Sequence, residues 1–151
     1  MLACAVMARG GTTGYSGTPL VQKLGVRPGS LVAALHAPPH YPELLGPLPE
    51  GATLTTRSTP RADLTHLFVT RRAVLQRALQ ALRARRRDDG VIWVSWPKKT
   101  SGVATEVTED VIRAEALPLG FVDVKVCAVD EVWSGLKLVV RTELRRAPSR
   151  E

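Results

Sequence analysis

Two lysines follow a buried-strand pattern in VIWVSWPKKTSG (Val91–Gly102), and they are the residues of this chain best placed by type to meet an anion. Lys98 and Lys99 offer point charges, and Ser101 and Gly102 offer a hydroxyl and open amides leading towards a helix start. Such a cradle suits a phosphate or a carboxylate. It is not a P-loop, because the lysines precede the small residues and the spaced GxxxxGK[ST] is absent. The bland alternative is that Pro97 ends the strand and the lysines solvate a loop.

Other chemistry-bearing residues fall in two further loops. DEVWSG (Asp130–Gly135) holds two carboxylates, Asp130 and Glu131, with Trp133 and Ser134 beside them. Asp130 or Asp123 could act as general acid and base with Lys98 stabilising developing negative charge. Adjacent carboxylates at a hairpin tip are more often turn residues. HAPPHY (His36–Tyr41) supplies His36 and His40 at the end of another strand, but a metal needs a third ligand and none stands at a recognisable spacing. No Ser or Cys sits in a nucleophile elbow, so no catalytic residue and no metal site are assigned. No reaction can be read from these residues.

Arg72, Arg77, Arg83, Arg86 and Arg87 lie on one helical segment and give a second reading, a grip on a nucleic-acid backbone. A solvated outer face explains them as well. The formal charge of +7 and the pI near 10.1 fit either, since net charge governs encounter rather than specificity.

The elements that position these loops follow from patterning. At 151 residues the chain suits a single domain with its own core, and its 44% apolar content is ordinary for a globular protein. SLVAAL (30–35), LTHLFVT (64–70) and VIWVSW (91–96) read as buried strands, and ATLTT (52–56) as an edge strand. Pro42 and Gly46 bracket a short helix. Val74, Leu75, Ala78, Leu79 and Leu82 form the apolar face of a helix over 72–87. Thr108 is the predicted N-cap of another, with Val107 and Ile112 as a hydrophobic staple. Two alternating runs, Phe121–Val129 (Val122, Val124, Val126 and Ala128 inward) and Leu136–Leu144, form a hairpin. Across it, Asp123 and Lys125 face Arg141 or Glu143 as cross-strand partners.

The sum is an α/β fold: a mostly parallel Rossmann-like sheet with helices on both faces and a C-terminal antiparallel β-hairpin. Residues 57–63 are too few for a crossover helix, which leaves an extended crossover or a hairpin-like return. The expected organisation is a flexible leader over 1–13, one domain over 14–144 and a tail over 145–151. MLACAVMA lacks the basic start of a signal peptide, no window nears the ~18 apolar residues of a membrane span, and two distant cysteines suit a reducing cytoplasm.

GYSGTPLVQKLGV (Gly14–Val26), PGSLVAALHAPPHY, VIWVSWPKK and FVDVKVCAVDEVWSGLKLVVR (Phe121–Arg141) together resemble one bacterial family, the domain of unknown function 3052. The resemblance spans most of residues 14–142. It implies that Trp96, Pro97, Lys98, Lys99, Asp123, Lys125, Asp130, Trp133, Ser134 and Gly135 belong to a family signature, and it brings no reaction, cofactor or partner.

The leading expectation is therefore a cytosolic, non-catalytic binding domain, leaning away from an enzyme. Lys98, Lys99, Ser101 and Gly102 would receive an anionic small molecule or a protein partner's acidic group, with His36, Asp130 and Ser134 nearby and Trp96 and Trp133 as walls. Nucleic acid is a possible partner and no membrane is expected. No cofactor is assigned: the glycine fingerprint of nucleotide-cofactor and methyltransferase-like sites is missing after the first strand, where HAPPHY stands.

Overall fold

The computed structural model describes residues 18–85 and 89–145. The leader over 1–13, Arg86, Arg87 and nearly all of the C-terminal tail lie outside the described residues.

Six strands form one sheet in the order β2-β1-β3-β4-β6-β5. They are β1 (Leu31–Leu35), β2 (Thr53–Thr55), β3 (Leu64–Phe68), β4 (Val91–Pro97), β5 (Phe121–Ala128) and β6 (Trp133–Val140). β2, β1, β3 and β4 are parallel, while β6 runs antiparallel to both its neighbours. β2 and β3 flank β1 and both run parallel to it, so the link over 56–63 is an extended crossover that returns the full strand length past β1. Buried Ala62 and half-buried Asp63 end that return: Asp63 binds the Leu31 N–H through its carboxylate at 2.8 Å and the Leu31 carbonyl through its own N–H at 2.9 Å.

Four helices cover the two faces: α1 (Leu20–Leu24), α2 (Tyr41–Leu45), α3 (Arg72–Arg85) and α4 (Glu109–Ala116). α3 buries Leu75, Leu79 and Leu82 against Leu67, Val94, Leu136 and Leu138, as the 3.6-residue spacing requires. α4 starts at Thr108, whose hydroxyl accepts the Val111 N–H at 3.2 Å, with Val107 and Ile112 both fully buried. On the opposite face α1 and α2 cover Val32, Ala34, Leu64 and Phe68, and Trp93 donates its indole N–H to the Leu24 carbonyl at 3.0 Å.

β5 departs from the alternation read in its sequence. A bulge between Asp123 and Lys125 breaks the register, and Val124 and Val126 are 52% and 48% exposed. β5 is an edge strand with one neighbour, and an inserted residue re-aims the side chains beyond it. Asp123 pairs with Arg113 of α4 at 3.0 Å, and Arg141 pairs with Glu143, so the expected cross-strand bridge does not form. The Arg113 guanidinium holds the Asp123 carboxyl below the usual range.

Candidate functional site

The carboxyl ends of β1, β3 and β4 and the start of β6 form one rim of the sheet. WPKK and DEVWSG meet there: Pro97 is in register with Trp133, and Lys98 donates its N–H to the Val132 carbonyl at 2.7 Å. HAPPHY joins them, with His40 Nε2 3.7 Å from Asp130 Oδ2.

The chain leaves β1 towards β2 on one side, returns across it to β3 on the other, and proceeds to β4. The order therefore reverses between β1 and β3, where open α/β sheets bind ligands. A mostly apolar cavity of about 280 Å³ sits at this reversal, lined by His36, Phe68, Val69, Thr70, Arg71, Val74 and Trp133. Phe68 and Trp133 meet edge to face at 5.0 Å. His36 takes a left-handed φ of 59° at the first position after β1, a conformation usual for glycine. The loop carrying Thr105 and Glu106 braces the turn after β3. Glu106 N–H and the Thr105 hydroxyl donate to the Thr70 carbonyl at 2.8 and 3.2 Å, and the Glu106 carboxylate accepts the Arg72 N–H.

Of the residues singled out in the sequence, His36 and Trp133 line this cavity. Lys98 and Lys99 lie beyond Trp133 on the rim. Ser101 donates its hydroxyl to the Lys98 carbonyl at 2.6 Å and accepts the Val103 N–H, and Gly102 closes a 3-10 turn at φ 77°. The expected helix start does not follow them, because α4 begins only at Glu109 and the intervening loop is occupied in bracing Thr70. Trp96 is 8% exposed in the core beneath α3 and α4 rather than on the crevice wall. Asp130 accepts the Val132 and Trp133 N–H groups at 2.8 and 2.7 Å, so its carboxylate shapes the hairpin turn. Ser134 is half-buried in register with Trp96. Phe68, Val69, Thr70, Arg71 and Val74 were not singled out as site residues. Their signal is a buried strand's carboxyl end running straight into a helix.

Beneath the cavity lies a buried polar chain. Tyr41 Oη is 2.8 Å from His66 Nδ1, and His66 Nε2 is 2.7 Å from Ser95 Oγ. His66 also stacks on Phe68 at 4.3 Å. Complete burial pushes the imidazole down to about 3, so the ring is neutral.

The arginines of α3 are engaged elsewhere. Arg72 pairs with Glu115 of α4 at 2.7 Å, and Arg83 donates to the Leu119 carbonyl at 2.9 Å. Arg72 ties α3 to α4 and Arg83 ties it to the turn that follows α4, which engages both within the fold rather than on the basic face read in the sequence; Arg72 and Arg77 stay exposed. Among the described residues no group of three or more His, Cys, Asp or Glu gathers, and no helix is long and apolar enough to cross a membrane.

No protein-family model matches the chain, and no curated protein does. Solved structures do. A SAM-dependent methyltransferase from Aquifex aeolicus aligns over 80% of this chain and 87% of its own, at 11% identity and a TM-score of 0.60. A protein assigned to the type 11 methyltransferases from Sulfolobus solfataricus aligns over 87% of this chain and 95% of its own, at 12% identity and 0.61. The B. subtilis tRNA methyltransferase TrmK aligns over 81% of this chain and 65% of its own, at 10% identity and 0.54. The fold is methyltransferase-like. This overturns the reading as a non-catalytic binding domain and its lean away from an enzyme: the solved structures that share the sheet are methyltransferases, and the cavity takes His36 and Trp133 from that reading but not Lys98, Lys99, Ser101 or Gly102.

The cavity can be tested against the donor that these neighbours' fold implies. Its position at the strand-order reversal and its apolar, aromatic walls suit an adenine and a sulfonium. Two anchors of nucleoside sites are absent. Positions 36–40 hold no glycine, with Pro38 and Pro39 lacking N–H groups, and Thr55–Ser58 after β2 holds no carboxylate for a ribose. The residues present fit the group through side chains rather than through a glycine turn.

Proposed function

We propose that the protein is a methyltransferase-type enzyme that holds S-adenosylmethionine in the crevice between the carboxyl ends of β1 and β3. One observation carries the reading: an apolar cavity at the strand-order reversal, in a sheet shared with methyltransferases. Phe68 and Trp133 would face the adenine or the sulfonium, and Arg71 would pair with the amino-acid carboxylate. His36 and Thr70 would hydrogen-bond at the mouth, and the His36 imidazole is available to take a proton from an acceptor. When bound, the donor supplies an electrophilic methyl group; the chain's part is to hold it, orient it and keep water from it. Membership in the domain of unknown function 3052 family is proposed alongside, on the four stretches quoted above. A cytoplasmic site of action is supported by the Cys127 thiol, which has no disulfide partner among the described residues.

Thermal shift and calorimetry with S-adenosylmethionine and S-adenosylhomocysteine test this. Ligand at ~100 times its dissociation constant should stabilise by about 2.7 kcal/mol. Arg71→Gln, an exposed change, should weaken binding roughly tenfold, the scale of one charge-assisted contact, with melting unchanged. If neither compound stabilises the wild-type protein at millimolar concentration, the reading fails.

A further inference from the structure

The outer face of the β5–β6 hairpin carries cations that the donor site does not use. Lys125 and Lys137 stand directly opposite one another in the antiparallel register. Like charges so placed destabilise a sheet, yet no carboxylate of the described residues forms an ion pair with Lys125, Lys137, Arg27 or Lys98. Burial pushes the Lys137 ammonium down, and Lys125 and Arg27 push it further; burial also lowers Lys23, against the Cys127 sulfur, and Lys98 lowers it further. The charged groups felt at Lys137 are thus cations from β5 and from the segment after α1.

Side chains alternate along a strand, so Trp133, Gly135 and Lys137 of β6 share one face. Trp133 lines the cavity, and Lys137 lies about 13 Å further along the strand at roughly 3.3 Å per residue. Lys98 flanks the start of the same strand through its bond to Val132. Cations therefore stand along this face, with Arg27 and the Lys125–Lys137 pair at one end, Lys98 beside the cavity at the other, and Lys23 at Ala128 and Cys127 between them.

We propose that this strip of cations is a docking surface for the phosphodiester backbone of a single-stranded nucleic acid, which carries the group to be methylated. This deepens the function proposed above and rests on it for the methyl transfer, though not for the docking. A narrow strip ending at an aromatic-walled cavity suits a strand whose backbone follows the lysines while one unstacked base enters the crevice. An anionic bilayer fits it less well, since an interfacial surface carries exposed aromatic and apolar side chains among its cations, and the strip's aromatic Trp133 is half-buried against Phe68.

Fluorescence anisotropy with labelled 20-mers of oligouridine and oligothymidine, without donor, tests the docking. Four phosphate contacts predict a slope of log affinity against log salt near −3, at about −0.7 per contact. Lys125→Gln/Lys137→Gln should halve that slope to about −1.4 and weaken binding roughly tenfold or more at low salt. Its melting temperature should not fall, because an opposed like-charge pair is removed. Lys125→Arg/Lys137→Arg should bind as wild type, and so should the α3 variant Arg77→Gln. The proposal is overturned if wild type binds neither oligomer at low salt, or if the double glutamine variant binds unchanged. Binding to phosphatidylserine vesicles without oligomer binding would overturn it too. Oligomer binding without any stabilisation by S-adenosylmethionine would sink the enzyme reading and leave the docking surface standing.

Discussion

Acidification should destabilise this protein through His66. The ring is fully buried between the Tyr41 hydroxyl and the Ser95 hydroxyl, and burial pushes it from 6.5 down to about 3. As pH falls below about 6.5 the unfolded chain gains a proton that the folded chain refuses, so stability is complete above that value and is lost progressively down to about 3. At pH 5 the loss is about 1.36 kcal/mol times the 1.5-unit interval below 6.5, or about 2 kcal/mol. The figure barely depends on whether the folded value is 3 or 4. Asp123, held low by Arg113, contributes stability that is lost only below the ordinary carboxylate range, so the window from pH 7.5 to 5 separates His66 from Asp123. Urea unfolding at pH 7.5, 6.5, 5.5 and 5.0 should show the decline in wild type. His66→Gln should start about 1–3 kcal/mol less stable, having lost a buried hydrogen-bonding partner, and should decline far less. The His66 ring resonances should stay fixed from pH 7.5 to 5. Parallel declines in wild type and variant, or a titrating His66 resonance near pH 6.5, would refute the account.

Two further perturbations probe the scaffold of the site. Gly135→Ala would place a methyl 3.2 Å from both Trp93 Cε3 and Val129 Cγ2; this overpacking should cost about 1–3 kcal/mol, read as a lowered urea midpoint. Thr108→Ala removes the cap on the Val111 N–H and should cost about 1 kcal/mol by the same measurement.

Much of the fold was legible because its signals are local. The Val74–Leu82 spacing, the Thr108 cap with its Val107–Ile112 staple, the Pro42 and Gly46 brackets and the runs over 31–35, 64–68 and 91–97 each report the burial of one element. Those elements also predicted that WPKK, DEVWSG and HAPPHY gather at one end of the sheet, and they do. The edge strand misled because alternation records which face a residue would take in an unbroken ladder, and the bulge at Val124 breaks it.

The sequence alone determined the strands, the helices and the end of the sheet at which chemistry-bearing loops collect, since each follows from apolar period and capping within a few residues. Tertiary structure decided where along that end the cavity opens, because this depends on β2 and β3 settling on opposite sides of β1, a choice made by packing between residues far apart in the chain. It also decided which polar groups remain available. Asp130 and Ser101 are spent on their own turns, Arg72 and Arg83 on α4 and the turn that follows it, while Lys125 and Lys137 face each other with no carboxylate partner among the described residues. A side chain's type is written in the sequence, but its partners exist only once the elements have packed.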